Sequence, residues 1–227
     1  MLKKYDELPK FMKNKEVKKY YDILKKKRFH LILKRLFDIF ASLFLLILIS
    51  PVLLILAIAI KIDSKGPVFY RQKRITTYGR EFKIFKFRTM VVDADKKGTL
   101  VTLKNDSRIT RVGNKIRNCR LDELPQLINV LIGDMSFVGT RPEVKKYVDV
   151  YSNEMLATLL MPAGITSLAS IEYKDEDKIL EKYTKKGEKV DDIYIERILP
   201  KKMKYNLDYI KNFNIIEDVQ TCIKTVL

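Results

Sequence analysis

Tryptophan is absent, histidine occurs once and cysteine twice. From Ile39 to Ile60 there is no charged residue. Each scarcity excludes something. Cys119 and Cys222 stand far apart with no metal-ligand partner beside them, so neither a disulfide scaffold nor a zinc site fits, and a reducing, cytosol-facing setting is the mild inference. The lone His30 sits just before the apolar run and reads as an interface residue, not a catalytic one. Without tryptophan, an aromatic belt at a membrane boundary would rest on tyrosine and phenylalanine. Acidic residues are also short: 28 against 45 lysines and arginines leave a formal net charge of +17, which calls for an anionic partner. Nucleic acid, an anionic membrane surface and a phosphorylated substrate all qualify, and charge alone does not choose.

What is present is enough for a folded domain. The chain has 227 residues, 47% of them hydrophobic, which argues against wholesale disorder and allows a sizeable core. The uncharged run from Ile39 to Ile60 would reach about 33 Å as a helix, enough to cross a hydrocarbon core. It starts too late, behind a charged arm, to read as a signal peptide. Ser50-Pro51 falls in its middle, where proline removes a backbone hydrogen bond and bends a helix. The serine hydroxyl can satisfy the freed carbonyl. Lys25, Lys26, Lys27, Arg28, Lys34 and Arg35 precede the run, and Lys61, Lys65, Arg71, Lys73 and Arg74 follow it. Basic flanks on both sides ask both ends to stay in the cytoplasm. A re-entrant helix–break–helix meets that demand; a single kinked span is the other reading, and physics alone leaves both open. Before the run, Leu8, Phe11, Met12, Tyr20, Tyr21 and Leu24 approximate one helical face among lysines. That face suits either the membrane headgroup region or packing on the domain.

Beyond Gly66-Pro67, a turn, the β-formers of Val68–Tyr70 and Phe82–Phe87 flank Thr76–Gly79 and predict a β-hairpin. Asp93 to Asp106 is polar and reads as a loop. Arg111–Arg120 predicts a short helix, and Glu123–Leu131 another, with Leu124, Leu127, Ile128 and Leu131 on one side. Pro125 suits a first turn, so that helix should begin near Asp122, with its free amides turned toward a phosphate. Further on, Pro162, Gly164 and Pro200 are breaks, and Asn206–Val226 reads as an amphipathic helical region. The economical reading is α+β and predominantly helical: a basic arm over 1–33, a re-entrant membrane helix over 34–62, and a cytoplasmic catalytic domain over 63–227 with a small β-hairpin and amphipathic interfacial helices.

The most informative stretch is Arg120-Leu121-Asp122-Glu123-Leu124-Pro125-Gln126-Leu127. Two adjacent carboxylates stand among Arg108, Arg111, Lys115, Arg117 and Arg120. A site that handles a polyanion with a metal ion and a carboxylate explains acids in so basic a segment. The bland alternative is a helix cap, or an ion pair with Arg117 or Arg120.

The ordered set of blocks resembles the bacterial sugar transferases, the small monotopic phosphoglycosyl transferases. These blocks are Lys34-Arg35-Leu36-Phe37-Asp38, Ser50-Pro51, Gly66-Pro67-Val68 with Gln72 and Arg74, Lys86-Phe87-Arg88-Thr89-Met90, and Arg108-Ile109-Thr110-Arg111-Val112-Gly113. Leu121–Leu127, Asn129-Val130-Leu131, Gly133–Gly139 and Arg141-Pro142 complete them. Any one block is weak, whereas the set in order is specific and covers Lys34 to the C-terminus.

The resemblance implies transfer of a sugar phosphate from a nucleotide diphosphosugar, by family habit a UDP-sugar, to a polyprenol phosphate such as undecaprenyl phosphate. UMP is released, and the transfer initiates a glycoconjugate: capsule, exopolysaccharide, O-antigen or glycoprotein glycan. It also implies a re-entrant helix broken at Ser50-Pro51, a cytoplasmic face on the inner membrane, and the possibility of downstream glycosyltransferases as partners. The dyad maps to Asp122-Glu123, with Asp122 as nucleophile and Mg²⁺ held or oriented by Asp122 and Glu123. Lys86, Arg88, Arg108, Arg117 and Arg141 are then the candidates to bind phosphoryl oxygens. Asp134 is expected to be a structural turn or capping residue. Thr76, Thr140, Ser167 and Leu168 depart from the family pattern and bear on sugar specificity and the local shape of the nucleotide site. Two rivals remain: a noncatalytic membrane-anchored scaffold, and a membrane-tethered nucleic-acid binder. The latter is disfavoured because the basic residues are dispersed and no nucleic-acid motif appears.

Overall fold

The structure is a computed structural model that describes residues 2–94, 106–173 and 176–226. Most of the loop expected between Asp93 and Asp106 therefore lies outside the described residues.

The chain opens with two short 3₁₀ turns and helix α1, Lys15–Lys26, whose first turn is capped by the Asn14 side chain. Leu8, Met12, Val17, Tyr20, Tyr21 and Leu24 are buried in the main core, against the Met155–Leu160 turns and the C-terminal helices. The apolar face of the arm is thus covered by protein and not by lipid; only Phe11 remains exposed. The short turns before α1 place these side chains together without one continuous helix.

Helix α2 runs unbroken from Arg28 to Asp63, with Pro51 inside it. The bend expected at Ser50-Pro51 falls inside this one helix, and the expected boundary at residue 33 also falls within it. The local chemistry explains the continuity. Pro51 lacks the N–H that would bond the Ile47 carbonyl, and the Ser50 hydroxyl donates to that carbonyl at 2.8 Å. The helix is long and apolar enough to cross a membrane. Phe40, Phe44, Ile47, Leu48, Leu54 and Ile55 are all exposed on it.

Both ends of α2 dock on the rest of the protein. Near the start, Lys34 is buried and bonds the Val138 carbonyl and Asp218; Arg35 donates to the carbonyls of Val130 and Leu131. Asp38 accepts from Ser136 Oγ and the Phe137 amide. Near the end, Ile60 packs with Phe87 and Ile116, and Asp63 accepts from the Val112 amide.

Strands β1, Phe69–Ile75, and β2, Glu81–Phe87, pair antiparallel as the alternation predicts, with Tyr70 opposite Lys86 and Arg74 opposite Phe82. The turn between them needs positive φ at Tyr78 and Gly79, whereas Thr76 is extended and tolerates its side chain. Thr76 Oγ1 donates to the Asp134 carbonyl and accepts from the Ala163 amide. Helix α3 is Arg111–Asn118, capped by Thr110 Oγ1. Helix α4 is Gln126–Ile132. It starts later than expected because Leu121–Glu123 form a separate 3₁₀ turn.

A second, parallel sheet joins β3, Met135–Val138, to β4, Ala163–Thr166. Helices α5, Lys145–Val148, α6, Leu168–Glu172, α7, Glu176–Thr184, and α8, Val190–Ile193, lie in the C-terminal half, while the sheet itself packs against α2 and α4. Ser167 caps α6. Pro200 does not break the chain; it sits in the first turn of α9, Leu199–Asn212, and α10, Ile215–Val226, follows. The architecture is α+β and mostly helical.

Candidate active site

The hairpin presents two faces because β side chains alternate. One carries Phe69, Arg71 and Phe85; the other carries Tyr70, Gln72, Arg74 and Lys86. The second face forms a cleft with the turn before α4, lined by Arg74, Lys86, Glu123, Gln126, Arg141 and Gly164 among others. Lys86 Nζ lies 2.6 Å from Glu123 Oε1, and Arg141 Nη2 lies 3.5 Å from the same oxygen.

The two carboxylates of the dyad have opposite environments. Burial alone would raise the Glu123 pKa, but Lys86 and Arg141 overcome it and bring the group down to about 2. Asp122 moves the other way: burial raises its pKa, Lys86 opposes, and the Glu123 charge adds to the rise. Among the described residues, no cation lies within ion-pair distance of Asp122. The dyad is therefore one clamped, ionised acid beside one poised acid, and an ion pair with Arg117 or Arg120 does not form. Arg120 adopts the left-handed conformation that turns the chain from α3 into the dyad.

The other anticipated cations divide. Arg141 and Lys86 are in the cleft. Arg117 is half-buried and acts on Asp122 only through its field. Arg108 chelates Asp106, with Nε 2.9 Å from Oδ1, and also holds the Ala94 carbonyl. Arg88, expected to bind phosphate, is committed elsewhere. Its guanidinium, 6% exposed, donates to the carbonyls of Ser64 and Lys65 at 2.7 and 2.6 Å and closes the C-terminal end of α2. A helix ending in orphan carbonyls competes for the same fork that a phosphate would use.

Asp134 is structural, as its Gly-Asp context suggests: it pairs with Arg80 at 2.7 Å and accepts from Asn129. Sequence reasoning missed Arg74 as a cleft residue and Asn129 as a brace. Asn129 is fully buried; its Oδ1 accepts from the Phe85 amide and its Nδ2 donates to the Lys83 carbonyl. Asn129 thus fixes α4, which follows Glu123, to the strand that carries Lys86. The signal was available in the helical pattern. The buried face of α4 is Gln126, Leu127, Asn129 and Val130, not the all-apolar stripe, so two polar residues face inward.

A family model described as bacterial sugar transferase matches residues 29–227. The chain belongs to the bacterial sugar transferase family. Among curated relatives, a UDP-glucose:undecaprenyl-phosphate glucose-1-phosphate transferase of Klebsiella pneumoniae is 38% identical over 201 residues, covering 87% of this chain and 40% of that protein. A UDP-N-acetylgalactosamine-undecaprenyl-phosphate N-acetylgalactosaminephosphotransferase of Aeromonas hydrophila is 37% identical over 198 residues, covering 86% of this chain and 43% of its own length. A UDP-glucose:undecaprenyl-phosphate glucose-1-phosphate transferase of Caulobacter vibrioides is 35% identical over 196 residues, covering 85% and 68% respectively. The chain spans well under half the length of the first two. In this sugar transferase fold, the matched region contains the hairpin, the dyad and nearly all of α2.

Proposed function

We propose that this chain transfers a sugar 1-phosphate from a nucleotide diphosphosugar, a UDP-sugar by analogy with its relatives, to undecaprenyl phosphate. The observation that carries the reading is the division of the dyad: Glu123 held by Lys86 and Arg141, with Asp122 beside it and, among the described residues, no cation at ion-pair distance from it. The carboxylate of Asp122 attacks the sugar-bearing phosphorus, and the bond from that phosphorus to the bridging oxygen breaks. The nucleoside monophosphate, UMP for a UDP-sugar, leaves with that oxygen. An oxygen of the lipid phosphate then attacks the same phosphorus and releases the Asp122 carboxylate. Lys86 and Arg141 stabilise charge on the phosphoryl oxygens during both displacements.

The donor set suits Mg²⁺. Both cations that reach Glu123 use Oε1, which leaves Oε2 and the Asp122 carboxylate to hold the ion. Two carboxylates are enough, since Mg²⁺ completes its shell with water and phosphate oxygens. When bound, it supplies neutralisation that lets an anionic carboxylate approach an anionic diphosphate.

Support for a re-entrant membrane helix comes from its two ends. Lys34, Arg35 and Asp38 at one end, and Ile60 and Asp63 at the other, hold the same domain. A helix so anchored keeps both ends on one face, which the basic flanks assign to the cytoplasm. The proposed location is the inner membrane with the cleft on the cytoplasmic side. The product would start a glycan that downstream glycosyltransferases extend.

The test is release of nucleoside monophosphate from individual nucleotide sugars by the full chain in membranes containing undecaprenyl phosphate. Release with at least one donor, abolished by Asp122→Asn, supports the reading. No release across a broad panel would favour a noncatalytic scaffold.

A further inference from the structure

One cation in the cleft is not taken up by an acid. Lys86 and Arg141 both close on Glu123, whereas Arg74, on β1 beside them, donates only to neutral acceptors. Its Nη1 reaches the Pro142 carbonyl at 3.3 Å and its Nη2 reaches Gln72 Oε1 at 2.7 Å. Among the described residues, no carboxylate lies within ion-pair distance of this guanidinium. Glu143 acts on it through its field, but that carboxylate accepts the Tyr194 hydroxyl. Burial depresses the Arg74 pKa, and the like charge of Arg141 depresses it further.

A half-buried guanidinium with no carboxylate at ion-pair distance, offset only by the more distant charge of Glu143, is unfavourable, and more so beside a second arginine. The arrangement becomes favourable when an anion enters. The planar fork suits two oxygens of one phosphoryl group, and Gln72 and the Pro142 carbonyl fix its orientation. Arg74, Arg141 and Lys86 line one cleft whose only acidic lining residue is Glu123, so the lining carries an excess of positive charge; Glu143 acts on Arg74 and Arg141, and Glu176 on Arg141, from outside it. A diphosphate matches that excess.

We propose that Arg74 is a phosphate-binding residue of the donor site, gripping the diphosphate of the nucleotide sugar together with Arg141 and Lys86, with Gln72 orienting its fork. The assignment rests on the transfer reading above and adds a residue to it. An ordinary structural arginine and an anion-binding one differ in what their removal does. Loss of a structural arginine destabilises the fold and leaves anion affinity alone. Loss of an unpaired, ligand-seeking arginine removes anion affinity and relieves the resting protein.

The full chain in nanodiscs, with inorganic pyrophosphate as probe, tests this by calorimetric titration and thermal melting of the parent, Arg74→Gln and Arg74→Lys. The Gln variant is expected to melt at or above the parent temperature. Its pyrophosphate affinity should be weaker by about tenfold or more, and pyrophosphate should raise the melting temperature of the parent but not of the variant. The Lys variant keeps the charge without the fork and should fall between them; it carries the test alone if the Gln variant does not fold. A folded variant that binds pyrophosphate as tightly as the parent overturns the assignment, as does a parent that binds none. Nucleotide-sugar turnover is measured in parallel. Parent turnover with unchanged KM in both variants removes Arg74 alone. Arg74-dependent pyrophosphate binding without turnover on any donor removes the transfer reading alone.

Discussion

Lys86 Nζ and Glu123 Oε1 stand 2.6 Å apart, and this ion pair joins the hairpin to the turn that carries the dyad. Both side chains are mostly covered, at 21% and 16% exposure, so the pair is shielded from solvent more than a surface bridge is. Lys86→Met leaves Glu123 with Arg141 alone. Turnover should fall on the order of 100-fold, from loss of charge stabilisation at the phosphoryl oxygens. Stability should drop by about 1–3 kcal/mol. Steady-state kinetics and melting curves measure both; kcat and KM within twofold of the parent would contradict the role.

Asp122 has its pKa raised by burial, with Lys86 opposing and Glu123 reinforcing. Attack needs the ionised form, so kcat/KM should fall on acidification through a pKa above that of an ordinary aspartate. Stability carries the matching sign. A carboxyl whose folded pKa is raised stabilises the fold below its unfolded pKa, and that contribution is lost as pH rises through the folded value. Asp122→Asn imitates the neutral form, so at neutral pH it should melt no lower than the parent while losing turnover. A markedly lower melting temperature would show that the carboxylate is instead a structural partner.

Arg88 is assigned to the end of α2, and its substitution should read as a stability defect. Arg88→Lys loses the fork that holds the Ser64 and Lys65 carbonyls and should cost about 2–4 kcal/mol. Donor KM, measured below the lowered melting point, should stay near the parent value. A raised KM with an unchanged melting temperature would return Arg88 to the phosphate site.

The contrast between Arg88 and Arg74 shows what the sequence could and could not disclose. Both sit in blocks that resemble the family, and both are arginines near apolar residues. The β-formers of Val68–Tyr70 and Phe82–Phe87 were sufficient to place the hairpin, and the lack of charge from Ile39 to Ile60 was sufficient to mark a helix long and apolar enough to cross a membrane. The destination of each guanidinium depends on contacts distant in sequence. Arg88 meets carbonyls that end a helix more than twenty residues earlier, and Arg74 faces Glu123 and Arg141 across the cleft. The β3–β4 pair was hidden for the same reason. Its four-residue strands have no local signature, and their register, Met135 with Ala163, follows from tertiary packing. Likewise, the buried face of Leu8 to Leu24 fits lipid and protein equally well until its partner, the Met155–Leu160 turns, is known.

Topology gives a prediction independent of chemistry. With Cys119 and Cys222 replaced, single cysteines at Phe29 and Lys65 flank the apolar segment. In sealed inside-out vesicles, both should react with a membrane-impermeant maleimide, and in right-side-out vesicles neither should. Opposite behaviour of the two positions would mean that α2 spans the bilayer.

The most direct measurement is the mass of the intact protein after brief mixing with a donor nucleotide sugar and Mg²⁺, without lipid acceptor. The account predicts an adduct of one sugar phosphate, mapped by digestion to Asp122, absent from Asp122→Asn and discharged on adding undecaprenyl phosphate. A protein that turns over this donor yet never carries the adduct, or an Asp122→Asn protein that still carries it, would contradict the nucleophile assignment.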